Sequence, residues 1–122
     1  MSEINCFLER VKTGAAELKF EEVIDLIDRH YNFEPVSFKN GSQKNAVGEN
    51  TGSCKVLNFA KLHNLPQSQA LSLFAQYYRD VLAMPSGNDH QNIRQFMVHG
   101  YDGLLFDRQP LCLKSDVENK NI

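Results

Sequence analysis

The chain has 122 residues, thirteen Lys and Arg against fifteen Asp and Glu, and 42% apolar residues. That describes one ordinary globular domain, long enough to bury roughly two-thirds of its unfolded surface without a metal or disulfide to hold a core. A formal charge of −2 excludes a basic field for nucleic acid or for a membrane surface, and no run approaches the roughly eighteen apolar residues of a spanning helix.

Taken in order, Ile4, Phe7, Leu8 and Val11 recur at helical spacing, and Gly14 can end that helix. Phe20, Val23, Ile24, Ile27 and Tyr31 predict a second helix. Its acidic residues Glu21 and Glu22 sit at the start and Arg29 near the end, as the helix dipole favours. Pro35 stops it, and the stretch from Phe33 to Phe38 reads as an extended edge strand. Residues 40–53 are the compositional anomaly. Three Gly and three Asn crowd a stretch with one sizeable apolar residue, Val47. Loops of that length inside a domain are usually functional or disordered.

Ser53 is placed to cap a third helix carrying Val56, Leu57, Phe59, Ala60 and Leu62. Pro66 opens a fourth that runs through Leu71, Phe74, Tyr78 and Leu82 to Pro85. Tyr78 belongs to its core face and Tyr77 to its surface. Asp89 can cap a last helix with Ile93, Phe96 and Met97 inward and Gly100 as terminator. Leu104-Leu105-Phe106 reads as a strand that pairs with residues 33–39. The expected fold is a single compact α+β domain over residues 1–110, predominantly α, with about five helices and a small two-stranded element. Residues 111–122 are expected to be a mobile polar tail.

The three cysteines, Cys6, Cys54 and Cys112, are odd in number and form no CxxC. The histidines His30, His63, His90 and His99 show no HxH or HxxxH. No disulfide framework, metal site or cofactor is expected, and the compartment that fits is a reducing cytoplasm. The first five residues lack the basic start and apolar run of an export signal.

A helix starting at Ser53 would put Cys54 in its first turn, where free amides and the helix dipole stabilise a thiolate. Lys55 adds positive charge. His90, at the next polar helix start, would stay neutral and could act as a base, with Asp89 or Asn92 orienting it. Cys54, His90 and Asp89 are therefore candidate catalytic residues. The competing readings make Cys54 a small buried apolar residue and His90 a loop residue bonded to backbone. The run from Gly48 to Lys55 fails the phosphate-loop spacing, but a Gly-rich loop feeding a helix start can bind an anion. Lys55 or Arg94 could supply charge there, or Asn40, Asn45 and Asn50 could simply satisfy the loop's own backbone.

Four runs carry a resemblance: Phe38-Lys39-Asn40-Gly41; Asn45 through Lys55 (NAVGENTGSCK); Phe74 through Leu82 (FAQYYRDVL); and His90 through Phe96 (HQNIRQF). Together they resemble the HopJ type III effector family over about residues 20–110. The resemblance implies a bacterial protein of unassigned biochemical activity, associated with type III secretion into a host cell. The ordered amphipathic helix expected at residues 3–12 departs from the Ser-rich, unstructured start that such export favours. The resemblance also marks Asn40, Asn45, Asn50, Ser53, Cys54, Lys55, His90, Asn92 and Arg94 as distinctive. They come from two loop-to-helix junctions, which are expected to meet in one polar pocket.

Three functions compete for that pocket. It could bind a small polar or anionic ligand, or a protein partner, through Asn40, Asn45, Asn50, Ser53, Lys55, Asn92 and Arg94. It could be a cysteine-dependent hydrolase or acyltransferase site. It could be a clamp that only holds the long loop.

Overall fold

A computed structural model of the chain describes residues 2–14 and 17–114. It is a mostly helical α+β domain, with six α-helices among the described residues. Helix α1, Glu3–Thr13, begins where the Ser2 hydroxyl accepts the Asn5 amide at 3.0 Å and ends on left-handed Gly14. It buries Phe7 and Val11. Helix α2, Phe20–His30, buries Val23, Leu26 and Ile27. Its first amide is not capped locally: Phe20 donates to the Gln76 side chain at 2.8 Å, 56 residues away.

The chain continues without a break into β1, Tyr31–Phe33. Strands β2, Phe38–Asn40, and β3, Gln43–Asn45, form a hairpin through Gly41 and Ser42. Helix α3, Thr51–Leu62, crosses the interior, and six of its residues are buried. Helices α4, Gln67–Ser72, and α5, Gln76–Ala83, precede α6, Gln91–His99. A 3-10 turn at Gly100–Gly103 leads into β4, Leu104–Phe106, and then β5, Leu111–Leu113.

One antiparallel sheet has the order β3-β2-β4, with Phe38 opposite Phe106 and Asn40 opposite Leu104. A separate antiparallel pair joins β1 to β5, with Tyr31 opposite Leu113. Phe59, Phe74, Phe96, Ile27 and Leu57 are the largest fully buried apolar side chains.

Met97, expected inward, is 36% exposed, and four expectations about the elements need correction. Residues Leu111–Leu113, expected in a mobile tail, form a strand paired with β1; residues 115–122 lie outside the described residues. The extended stretch 33–39 divides between β1 and β2, which join different sheets. The single helix expected after Pro66 is two. It breaks at Leu73-Phe74-Ala75, where tight turns replace α-helical bonding and Ala75 adopts φ 55°, ψ −124°. The break lets Leu73 and Phe74 both sink into the core, at 0% and 2% exposure, and swings Tyr77 toward Phe20 (ring centroids 5.1 Å apart). Finally, α3 starts at Thr51, not Ser53, and its N-cap is Asn50.

Candidate functional site

The two polar junctions do meet. At the first, Asn50 has a left-handed backbone (φ 49°, ψ 47°) and turns the chain into α3. At the second, His90 has nearly the same geometry (φ 51°, ψ 49°) and opens α6. Side chains at such a position normally cap the helix by accepting an amide, but neither Asn50 nor His90 does so. Among the described residues, the amides of Thr51, Gly52 and Ser53 find no backbone acceptor, and neither do those of Gln91 and Asn92. The first helical bonds come one step later, from Cys54 to the Asn50 carbonyl and from Ile93 and Arg94 to the His90 carbonyl.

An asparagine network ties the two starts together. The Asn45 oxygen accepts from Asn50 Nδ2 at 2.7 Å and from Asn92 Nδ2 at 3.0 Å. Asn45 Nδ2 returns a bond to Asn92 Oδ1 at 3.2 Å and also donates to the Phe38 carbonyl at 3.3 Å. Asn40 Nδ2 donates to the Asn92 carbonyl at 2.7 Å and to its side-chain oxygen at 3.1 Å. Asn40, Asn45 and Asn92 are all buried, and Asn40 Oδ1 has no partner. Because the Asn45 and Asn92 amides each donate and accept, the network fixes how these two are oriented.

In front of this network lies a cavity of about 490 Å³. Gln43, Asn50, Ser53, Gln91 and Asn92 line its polar side, and Phe20, Phe74, Tyr77 and His90 supply a ring-bearing side. The rings touch in series. Phe20 lies 6.1 Å from Phe74, Tyr77 lies 5.1 Å from Phe20 nearly edge-on, and His90 lies 5.4 Å from Tyr77 at 37°.

The expected site residues therefore separate. Asn50, Ser53, His90 and Asn92 line the cavity, and Asn40 and Asn45 stand behind it in the network. Cys54, Lys55, Asp89 and Arg94 do not line it. Cys54 is 1% exposed. Burial pushes its thiol up to about 11, and only partly offsetting are a hydrogen bond with the Val36 backbone and the Lys55 charge. The thiolate expected at a first-turn position fails because the thiol is buried, and the helix register offers it no free amide of its own. Starting the helix at Thr51 makes Cys54 its fourth residue, with its amide already bonded to Asn50.

Lys55 is occupied by Asp28, 2.8 Å away, and by the Phe33 ring, 4.9 Å from its ammonium. Arg94 holds the preceding loop. It donates to the Asp89 carbonyl at 2.6 Å, the Asp89 carboxylate at 2.7 Å and the Pro85 carbonyl at 3.3 Å. That contact lowers the Asp89 carboxyl below its usual range. Asp89 is thus a partner of Arg94 and not the expected helix cap; it stands 3.8 Å from His90 Nε2.

Sequence reasoning missed Gln43, Gln91 and the ring wall. On an unbroken helix Tyr77 falls toward the surface, and the break at Ala75 brings it to the cavity instead. No group of three or more His, Cys, Asp or Glu among the described residues could hold a metal.

The fold and this junction define a single-domain, mostly helical protein with a polar-and-aromatic cavity between two helix starts. The chain belongs to the HopJ family: the model of the family described as HopJ type III effector protein matches residues 4–111. Among solved structures it is similar to the crystal structure of VPA0580, a protein of unknown function. The two are 39% identical over 93% of this chain and 95% of that one, with a TM-score of 0.89. No curated protein matches.

Proposed function

We propose that this HopJ-family protein is a small-ligand binding domain whose cavity receives the polar or anionic head of its ligand at the starts of α3 and α6. The observation that carries this is the pair of uncapped helix starts facing one cavity. Five backbone amides there lack a backbone acceptor, and the helix dipoles favour negative charge at the same place. A concave site of this volume suits a small molecule better than the flat face of a protein partner. The asparagine network supports the clamp reading for Asn40 and Asn45, and the two roles are compatible: the clamp sets the spacing of the two helix starts.

The cysteine hydrolase or acyltransferase reading is not carried forward, since it needs an accessible thiolate beside His90. As for location, we propose that the protein works in the cytoplasm of the cell that makes it. Helix α1 packs Phe7 and Val11 into the core, and export through a narrow secretion channel would require that helix to unfold.

The binding reading is tested by following backbone amide resonances while sodium acetate or inorganic phosphate is added. The expected result is a joint shift at Thr51–Ser53 and Gln91–Asn92 that saturates. Shifts scattered over the surface, or none, would sink the proposal.

A further inference from the structure

The lining of the cavity also says what kind of ligand it fits, given the binding role proposed above. No Lys, Arg, Asp or Glu lines it. The two cations nearest in sequence are committed elsewhere, Lys55 to Asp28 and Arg94 to Asp89 and Pro85. The positive potential on offer is therefore that of two helix starts, each equivalent to about half an elementary charge. Together they balance about one negative charge. A carboxylate carries one. A phosphate monoester carries nearly two at neutral pH and would bring uncompensated charge out of water, which is costly.

The opposite side is set for a ring. Phe74, Phe20, Tyr77 and His90 form a continuous series of contacts along the cavity. The Tyr77 and His90 planes are 37° apart, so their faces diverge as a wedge and are not stacked on each other. Among the described residues, the His90 ring has no other ring partner. Aromatic faces recognise flat π-systems through offset or edge-on contacts that a saturated ring of the same size cannot reproduce.

We infer that the ligand is a planar aromatic or heteroaromatic monoacid, its ring against the Tyr77–His90 wedge and its carboxylate at the starts of α3 and α6.

The experiment is a titration of the full chain with benzoate, nicotinate, cyclohexanecarboxylate and inorganic phosphate, read by amide shifts and repeated on Tyr77→Leu. Benzoate and cyclohexanecarboxylate share a head group and differ in the flatness and π-faces of the ring. Both should shift the Ser53 and Asn92 amides. An aromatic acid should bind about tenfold more tightly than the saturated one, the worth of one aromatic contact. Tyr77→Leu should bring the two within about twofold. Equal affinities on the unmodified chain would overturn the aromatic inference and leave the anion site standing. Phosphate binding more tightly than the acids would overturn the monoacid assignment alone. If no anion moved those amides, the binding role and this inference would both fall. The wild-type comparison decides the matter even if Tyr77→Leu does not fold.

Discussion

Asn45→Ala removes the centre of the buried amide network, and its cost can be worked from the bonds it breaks. Five are lost: two accepted by Oδ1 from Asn50 and Asn92, and three donated by Nδ2 to Asn92 and to the Phe38 and Gln43 carbonyls. They are not equivalent. Asn50 is exposed, and water can replace Asn45 there. Asn92 is 6% exposed, and its Nδ2 loses the acceptor that held it. An orphaned buried donor costs about 1–3 kcal/mol, and the remaining bonds each contribute net about 0.5–1.5. The sum is roughly 3 kcal/mol, or about 10–15 °C in Tm for a domain of this size. Urea unfolding followed by circular dichroism gives the first figure and scanning calorimetry the second. Val47→Ala, at a 63% exposed position beside the same loop, should stay within about 0.5 kcal/mol. Asn92→Ala and the double variant complete a cycle, which should return a coupling of about 1 kcal/mol or more. If Asn45→Ala costs less than about 1 kcal/mol with an unchanged denaturant slope, the network is ornamental and the clamp argument is wrong.

Three further outcomes follow from particular contacts. Burial raises the Cys54 thiol from 9.0 to about 11, so the unfolded chain ionises first; stability should be intact below pH 9 and fall as pH rises from there toward 11. Cys54→Ala should flatten the lower part of that fall, with Tyr101, raised by burial from 10.0 to about 12, retaining the upper part, while in native protein a thiol reagent should label exposed Cys6 well before Cys54. At the acid end, hydrogen bonds from Arg29 and then His30 hold the Glu3 carboxyl at about 2 against an ordinary 4.5. Its contribution is present above pH 4.5 and lost as pH falls toward 2, and Glu3→Gln should remove that segment of an acid unfolding curve. Gly41 has φ 59°, and a Cβ there would lie 2.5 Å from His99 Cδ2 and press on Gln95 Oε1, the atom that holds the Ser42 amide at 2.9 Å; Gly41→Ala should cost more than about 1 kcal/mol in a urea melt.

Much of the fold is legible because α1 and α2 carry their own instructions. The apolar stripe of each is periodic, its charges follow the dipole, and α1 has both a Ser cap and a Gly terminator. The pairing of residues near 38 with those near 105 is also legible, since they are the extended apolar stretches between helices. What escapes is set by tertiary contacts. The apolar period runs unbroken from Leu71 through Phe74 to Tyr78, yet the helix breaks. The only marker is Ala75, whose positive φ no local rule suggests. Asn50 and Ser53 are equally good caps by type, but α3 starts at Thr51, after an Asn50 whose side chain is held by Asn45. That small displacement makes Cys54 the fourth residue of the helix, and burial then sets its thiol. Charge alone points Lys55 and Arg94 to the site, yet each is drawn off by a carboxylate, Asp28 and Asp89, that sequence proximity alone does not pair with it.

The cost of the junction bears on its purpose. Two non-glycine residues, Asn50 and His90, sit in left-handed geometry, which is uncommon outside glycine and carries strain. Each helix start also forgoes a capping bond worth about 0.5–2 kcal/mol, although α1 of the same chain has one. Asn50 has a capable side chain and spends it on Asn45. If the junction served stability alone, Ser or Asp caps would satisfy the same amides locally, without a buried network that leaves Asn40 Oδ1 unpartnered. The arrangement does something such caps would prevent. It leaves five amides without a backbone acceptor at two helix starts that border the same cavity, at a spacing fixed by Asn45 and Asn92. An acceptor from outside the chain would fill the role that the caps leave open, which is why the strain and the cavity are best explained together.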